Sequence, residues 1–156
     1  MLVKHRAALP ADLIQRTEVL ALKRQRVGQQ TFCRAMLDYW GGACAVTGIA
    51  LPEVLRASHA KPWAECASDA ERLDVFNGFL LCANLDALFD RFLISFDDEG
   101  RLLVADSVLP HYRPALGLDS ALALRWLSPR HLGCLRFHRE RFSAAVQPLQ
   151  MAVQSG

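Results

Sequence analysis

The chain has 156 residues, 52% of them apolar and 22% charged, with a net charge of +2. That suits one compact domain with a real core, and it excludes disordered and fibrous classes. No apolar run approaches the roughly 20 residues that a membrane span needs, and the N-terminus lacks the continuous apolar segment of a signal peptide, so a cytoplasmic protein is expected.

In chain order, Asp12 to Val27 has helical periodicity, with Pro10 before it and Gly28 as its stop. Thr31 to Trp40 reads as a second helix that Gly41-Gly42 ends. "ACAVTG" and "EVLRASHA" read as two strands of one hairpin. Ser68 followed by Glu71 forms a capping box that starts a short helical turn. "FLLC" is a buried strand, and "ANLDALFDRF" a helix of about two and a half turns. "LISF", "DDEG" and "RLLVA" make a second hairpin. Ser128-Pro129 opens the last helix, with proline at its first position. This order predicts an α+β domain rather than an alternating parallel sheet.

Five cysteines, Cys33, Cys44, Cys66, Cys82 and Cys134, show no C-x-x-C spacing. The pattern fits small core residues better than a disulfide framework or a four-cysteine zinc site. Charge is uneven. Residues 1–34 carry seven Lys/Arg against two acids, residues 53–106 five against eleven, and residues 113–141 six against two. An acidic centre could hold a divalent cation and basic flanks a polyanion; a mixed soluble surface explains the same counts.

Asp86 and Asp90 lie four apart in the apolar stretch "NGFLLCANLDALFDRFLISF". At that spacing they share one face of a helix, where like charges repel unless a cation sits between them. They suggest Mg²⁺ or Mn²⁺ bound through oxygen; the plain alternative is two solvated carboxylates. His59, at the end of a predicted strand, could take a proton from water at neutral pH, although single histidines are commonly structural. Asn77 before Gly78 reads as a turn. Trp40 and Trp63 read as packing aromatics.

Together, "CAVTG", "LRASHAKPW", "RLDVFNGFLL" and "NLDALFDRFLISFDDEGRL" resemble the HNH endonucleases, and more narrowly their bacterial restriction-type subfamily. The tail "LRFHRERF" fits as well. The resemblance implies a ββα-metal (His-Me finger) core over residues 29–106, with helical segments 1–28 and 107–156 on either side of it in one domain. His59 would be the general base. Asn77 would pin the loop that orients it, and Asp86 and Asp90 would hold one Mg²⁺ or Mn²⁺. Near the motif in sequence, Arg56, Lys61 and Arg91 could grip phosphates, as could Lys23, Arg24, Arg26, Arg136, Arg139 and Arg141; a solvated surface charge is the plainer reading of each. The implied activity is hydrolysis of DNA phosphodiester bonds, in restriction of foreign DNA. Target recognition would fall to a homodimer or a separate specificity subunit. Two departures stand out: aspartate replaces the motif's last histidine at position 86, and Ser58, a poor ligand, precedes His59. Ser58 motivates the alternative of a catalytically weak module that binds DNA or protein. An RNase or toxin with the same site is a third reading.

Overall fold

The computed structural model describes residues 10–118 and 120–154. The parts of the expected terminal segments that fall on residues 1–9 and 155–156 lie outside these. Helix α1 (Ala11–Tyr39) is followed by strand β1 (Leu55–His59) and a short helix α2 (Asp69–Leu73). Strand β2 (Gly78–Cys82) runs directly into helix α3 (Ala83–Asp90). Strands β3 (Ile94–Phe96) and β4 (Leu102–Val104) precede helix α4 (Leu132–Gln154). The fold is α+β, as expected, with two antiparallel two-stranded sheets.

Two expectations are overturned. The first is the break at Gly28: α1 is a single helix that passes through it. Glycine costs a helix interior about 1 kcal/mol relative to alanine, and here it serves packing. A Cβ at Gly28 would fall 2.5 Å from the ring of Trp63, so the missing side chain is the notch that lets Trp63 lie on α1. The helix ends where expected. Gly41 and Gly42 take φ of 66° and 70°, and the Gly42 N–H donates to Leu37 O at 2.8 Å, an αL stop that satisfies an orphan carbonyl.

The second correction concerns strand pairing. "ACAVTG" forms a turn, and β1 pairs instead with β2, in the register Leu55↔Cys82, Ser58↔Phe79 and His59↔Gly78. Cys44 and Ala45 of this turn are fully covered, while Thr47 and Gly48 are exposed. The Ala45 N–H donates to Leu80 O at 2.7 Å, and the Arg125 N–H to Ala45 O at 2.7 Å. The Arg125 guanidinium donates to the carbonyls of Trp40, Ala43 and Cys44, each at 2.9 Å. Buried backbone needs such partners, and here a residue far down the chain supplies them.

The remaining elements follow the predicted order. Ser68 accepts from the Glu71 N–H at 3.2 Å, although the Glu71 carboxylate reaches back to the Ala67 N–H rather than to that of Ser68. Asp97 Oδ1 accepts from the N–H groups of Glu99 and Arg101 and closes the β3–β4 turn. Ser128 caps a short 3₁₀ turn ahead of α4 and accepts from the Arg130 N–H at 3.2 Å. All five cysteines are free. Among the described residues no helix is long and apolar enough to cross a membrane.

The core lies between α1, the β1–β2 sheet, α3 and α4. Phe32, Met36 and Trp40 from α1 meet Phe79, Leu80 and Leu81 from β2, with Leu85 and Phe89 from α3 and Leu135 from α4. Phe89 is fully buried and packs edge-on to Phe79 at 5.8 Å. Phe89→Ala should cost about 3–5 kcal/mol of unfolding free energy in urea denaturation, the range for a buried aromatic truncated to alanine. A loss below about 1 kcal/mol would remove Phe89 as the anchor of α3.

His138 of α4 secures the other side of Phe89. Its Nε2–H donates to Phe89 O at 2.7 Å, and its Nδ1 accepts from the Ser95 hydroxyl at 2.9 Å. The rings of His138 and Phe89 stack at 3.7 Å. Burial pushes the imidazole down to about 4 from its ordinary 6.5. The unfolded chain therefore binds a proton that the folded one refuses. Stability from this neutral histidine is complete above pH 6.5, declines as pH falls, and is lost below about pH 4. The full effect is about 3 kcal/mol, since each ten-fold change in proton affinity is worth about 1.4 kcal/mol. Melting curves at pH 7.5 and pH 5 should show the drop, and His138→Gln should flatten it. An equal slope in the variant would rule this origin out.

Candidate functional site

The end of the β1–β2 hairpin presents His59, the last residue of β1. Its ring stacks on Phe32 of α1 at 3.8 Å and meets Trp63 edge-on at 5.8 Å. Nε2 lies 2.8 Å from Arg72 O. A carbonyl can only accept, so the proton of the neutral ring sits on Nε2 and Nδ1 keeps its lone pair. Nδ1 has no hydrogen bond to the described residues. Burial pulls the imidazole below its usual value, while the bond to Arg72 O and the field of Asp90 pull partly the other way. The ring is thus oriented, neutral at pH 7 and open at one nitrogen.

Asn77 is fully buried and holds the loop between the two strands. Its Oδ1 accepts from the Lys61 N–H at 2.8 Å. Its Nδ2 lies 3.3 Å from Lys61 O and 3.2 Å from Glu71 O, with Cys66 Sγ at 3.4 Å. The Asn77 carbonyl accepts from the Ala60 N–H, next to His59, at 3.1 Å. One residue therefore ties the end of β1 to α2. Arg72 adds to the cross-links, donating to Trp63 O at 3.0 Å, Cys66 O at 3.1 Å and Asp69 at 2.9 Å. These bonds fix the carbonyl that orients His59.

Helix α3 carries Asp86 and Asp90 on one side, with Leu85, Leu88 and Phe89 buried on the other. Asp86 is half-buried and Asp90 exposed. Oδ1 of Asp86 accepts from the hydroxyl of Ser58, the residue before His59. The structure thus joins Asp86 to the His59 strand by a hydrogen bond, and Asp90 acts on the His59 ring through its field. Among the described residues, no group of three or more His, Cys, Asp or Glu side chains is placed to hold a metal ion. The chain offers two carboxylates there, without a third such ligand among the described residues.

The expected phosphate-gripping residues are placed unequally. Arg91, just past α3, is exposed and has no ion pair among the described residues. Arg56 is exposed, and its guanidinium donates to Glu53 O at 3.2 Å and Leu55 O at 2.9 Å. Lys61 pairs with Glu71 at 2.7 Å. Other cations of the basic flanks also meet the acidic centre: Arg24 pairs with Asp69, Arg136 and Arg139 with Asp98, and Arg141 with Glu65. Exposed pairs of this kind contribute about 0–1 kcal/mol each.

Residues 44–97 match a family model described as HNH endonuclease. This stretch, about a third of the chain, is similar to HNH endonucleases. The HNH match runs from the buried turn at Cys44 to the end of β3 and contains His59, Asn77, Asp86 and Asp90. A solved structure, a modification-dependent TagI restriction endonuclease, is 19% identical, with a TM-score of 0.47. The alignment covers 70% of this chain and 36% of that one, so the chain spans about a third of that protein's length. No curated protein matches. In and around the matched stretch, sequence reasoning missed Phe32 and Arg72 as the supports of His59. Neither has a local signal, since Phe32 reads as an ordinary core residue and Arg72 acts through its backbone.

Proposed function

We propose that the chain is a metal-dependent endonuclease that hydrolyses DNA phosphodiester bonds with His59 as general base. The observation that carries this reading is the Nε2 bond to Arg72 O. It leaves Nδ1 as the proton acceptor on a fixed ring that feels the charge of Asp90. Nδ1 takes a proton from the attacking water, whose oxygen bonds to phosphorus as the bond to the leaving oxygen breaks. Asn77 keeps the loop, and so the imidazole, in place. Arg91 offers a cation for a flanking phosphate, and Arg56 a second at the start of β1. Lys61 would contribute only after release from Glu71.

The donor set fits a hard divalent cation. Mg²⁺ commonly uses one or two carboxylates and completes its shell with water and substrate phosphates, and Asp86 and Asp90 supply two. Bound there, Mg²⁺ or Mn²⁺ would supply positive charge for the developing negative charge on the phosphate oxygens. We place the enzyme in the cytoplasm, in restriction of foreign DNA, with a homodimer or a separate specificity subunit supplying target choice. That no group of three or more such ligands occurs among the described residues favours a second reading, an HNH-derived module that binds DNA or protein without cutting it.

Plasmid nicking decides between them. We expect cleavage with Mg²⁺ or Mn²⁺ and none with EDTA. Asp86→Ala and Asp90→Ala should each raise the metal concentration needed by more than ~10-fold, the scale for a perturbed metal site, with the fold intact. Absence of metal-dependent cleavage of single- or double-stranded DNA would leave the binding module. Preferential cleavage of RNA would make the enzyme an RNase.

A further inference from the structure

We infer that Ser58 is a positioning residue that aims the Asp86 carboxylate at the bound cation. This rests on Asp86 being a metal ligand. Ser58 is 3% exposed and sits inside β1, opposite Phe79. Its one hydroxyl proton goes to Asp86 Oδ1, so a strand and a helix 28 residues apart meet through this bond. The terminal torsion of an aspartate is broad and roughly two-fold. Engaging Oδ1 from a rigid strand removes much of that freedom and leaves Oδ2 for a cation.

The chemistry of the anchor matters. Asp86 forms no ion pair among the described residues. A lysine or arginine in this place would orient the carboxylate and also neutralise it. A hydroxyl orients it and leaves its full charge to a cation. With only two carboxylates on α3, the site needs both the charge and the alignment. The serine before His59 therefore acts on the cation indirectly, through Asp86. Partners of this kind change metal affinity by about 10–100-fold.

The test is Mn²⁺ binding to the purified full chain without DNA, read as loss of the free-ion signal in electron paramagnetic resonance. Ser58→Ala should weaken binding by about 10–100-fold, and Ser58→Thr, which keeps the hydroxyl, should restore most of it. If Ser58→Ala fails to fold, Ser58→Cys takes its place, because its thiol is only a weak donor. Wild-type affinity in the variant lacking the hydroxyl, together with lost binding in Asp86→Asn, would overturn the role of Ser58 and leave Asp86 as a ligand. Equal binding by wild type and Asp86→Asn would remove the ligand reading and the inference with it.

Discussion

Replacing His59 with alanine should lower the rate of metal-dependent plasmid cleavage by about 10²–10⁴-fold, the usual contribution of a positioned general base. The loss follows from chemistry at one atom. Nε2 is committed to Arg72 O, so only Nδ1 can accept the proton of water. A structural origin must be separated from this, because the ring also stacks on Phe32. His59→Gln retains more of the packing but has no basic nitrogen, and it should be as slow as His59→Ala. Added imidazole should partly restore His59→Ala, where the truncation leaves space beside Phe32 and Trp63 for the missing ring. Cleavage within a few-fold of wild type in both variants would remove His59 as the base.

Gly78→Ala should destabilise the domain by about 3 kcal/mol or more, combining backbone strain and overpacking. Gly78 has φ of +151°, and a Cβ there would fall 1.8 Å from Ser58 O. That contact is with backbone, so no rotamer change relieves it and β1 must move. The strain sits at the His59↔Gly78 pair, beside the Asn77 bonds that hold the loop. Cleavage should therefore fall even where the variant is still folded. Urea denaturation followed by circular dichroism checks the stability, and a change below about 1 kcal/mol would show that the hairpin absorbs the methyl group.

Much of this region is legible from local signals. The i, i+4 spacing of Asp86 and Asp90, the apolar face of α3, the Ser68 cap and the Asp97–Gly100 turn each act over a few residues. The HNH resemblance rests on motifs largely inside the stretch that the family model matches. What was not legible depends on partners distant in the chain. The run around Cys44 is short and apolar, and a strand and a buried turn look alike at that length. Distant partners hold it as a turn: Arg125, whose side chain satisfies the carbonyls of Trp40, Ala43 and Cys44, and Leu80, whose carbonyl accepts from the Ala45 N–H. Gly28 reads as a stop until Trp63 is seen to lie against it. The support of His59 comes from a ring 27 positions earlier and a carbonyl 13 positions later, and no periodicity announces either.

We propose that His59 and the two aspartates of α3 form one site around a single cation. Anomalous scattering from crystals soaked in Mn²⁺ tests it most directly. One peak is expected within bonding distance of Asp86 Oδ2 and Asp90, on the side that His59 Nδ1 faces. A peak elsewhere with those carboxylates bare, or an imidazole turned away from the ion, would contradict it.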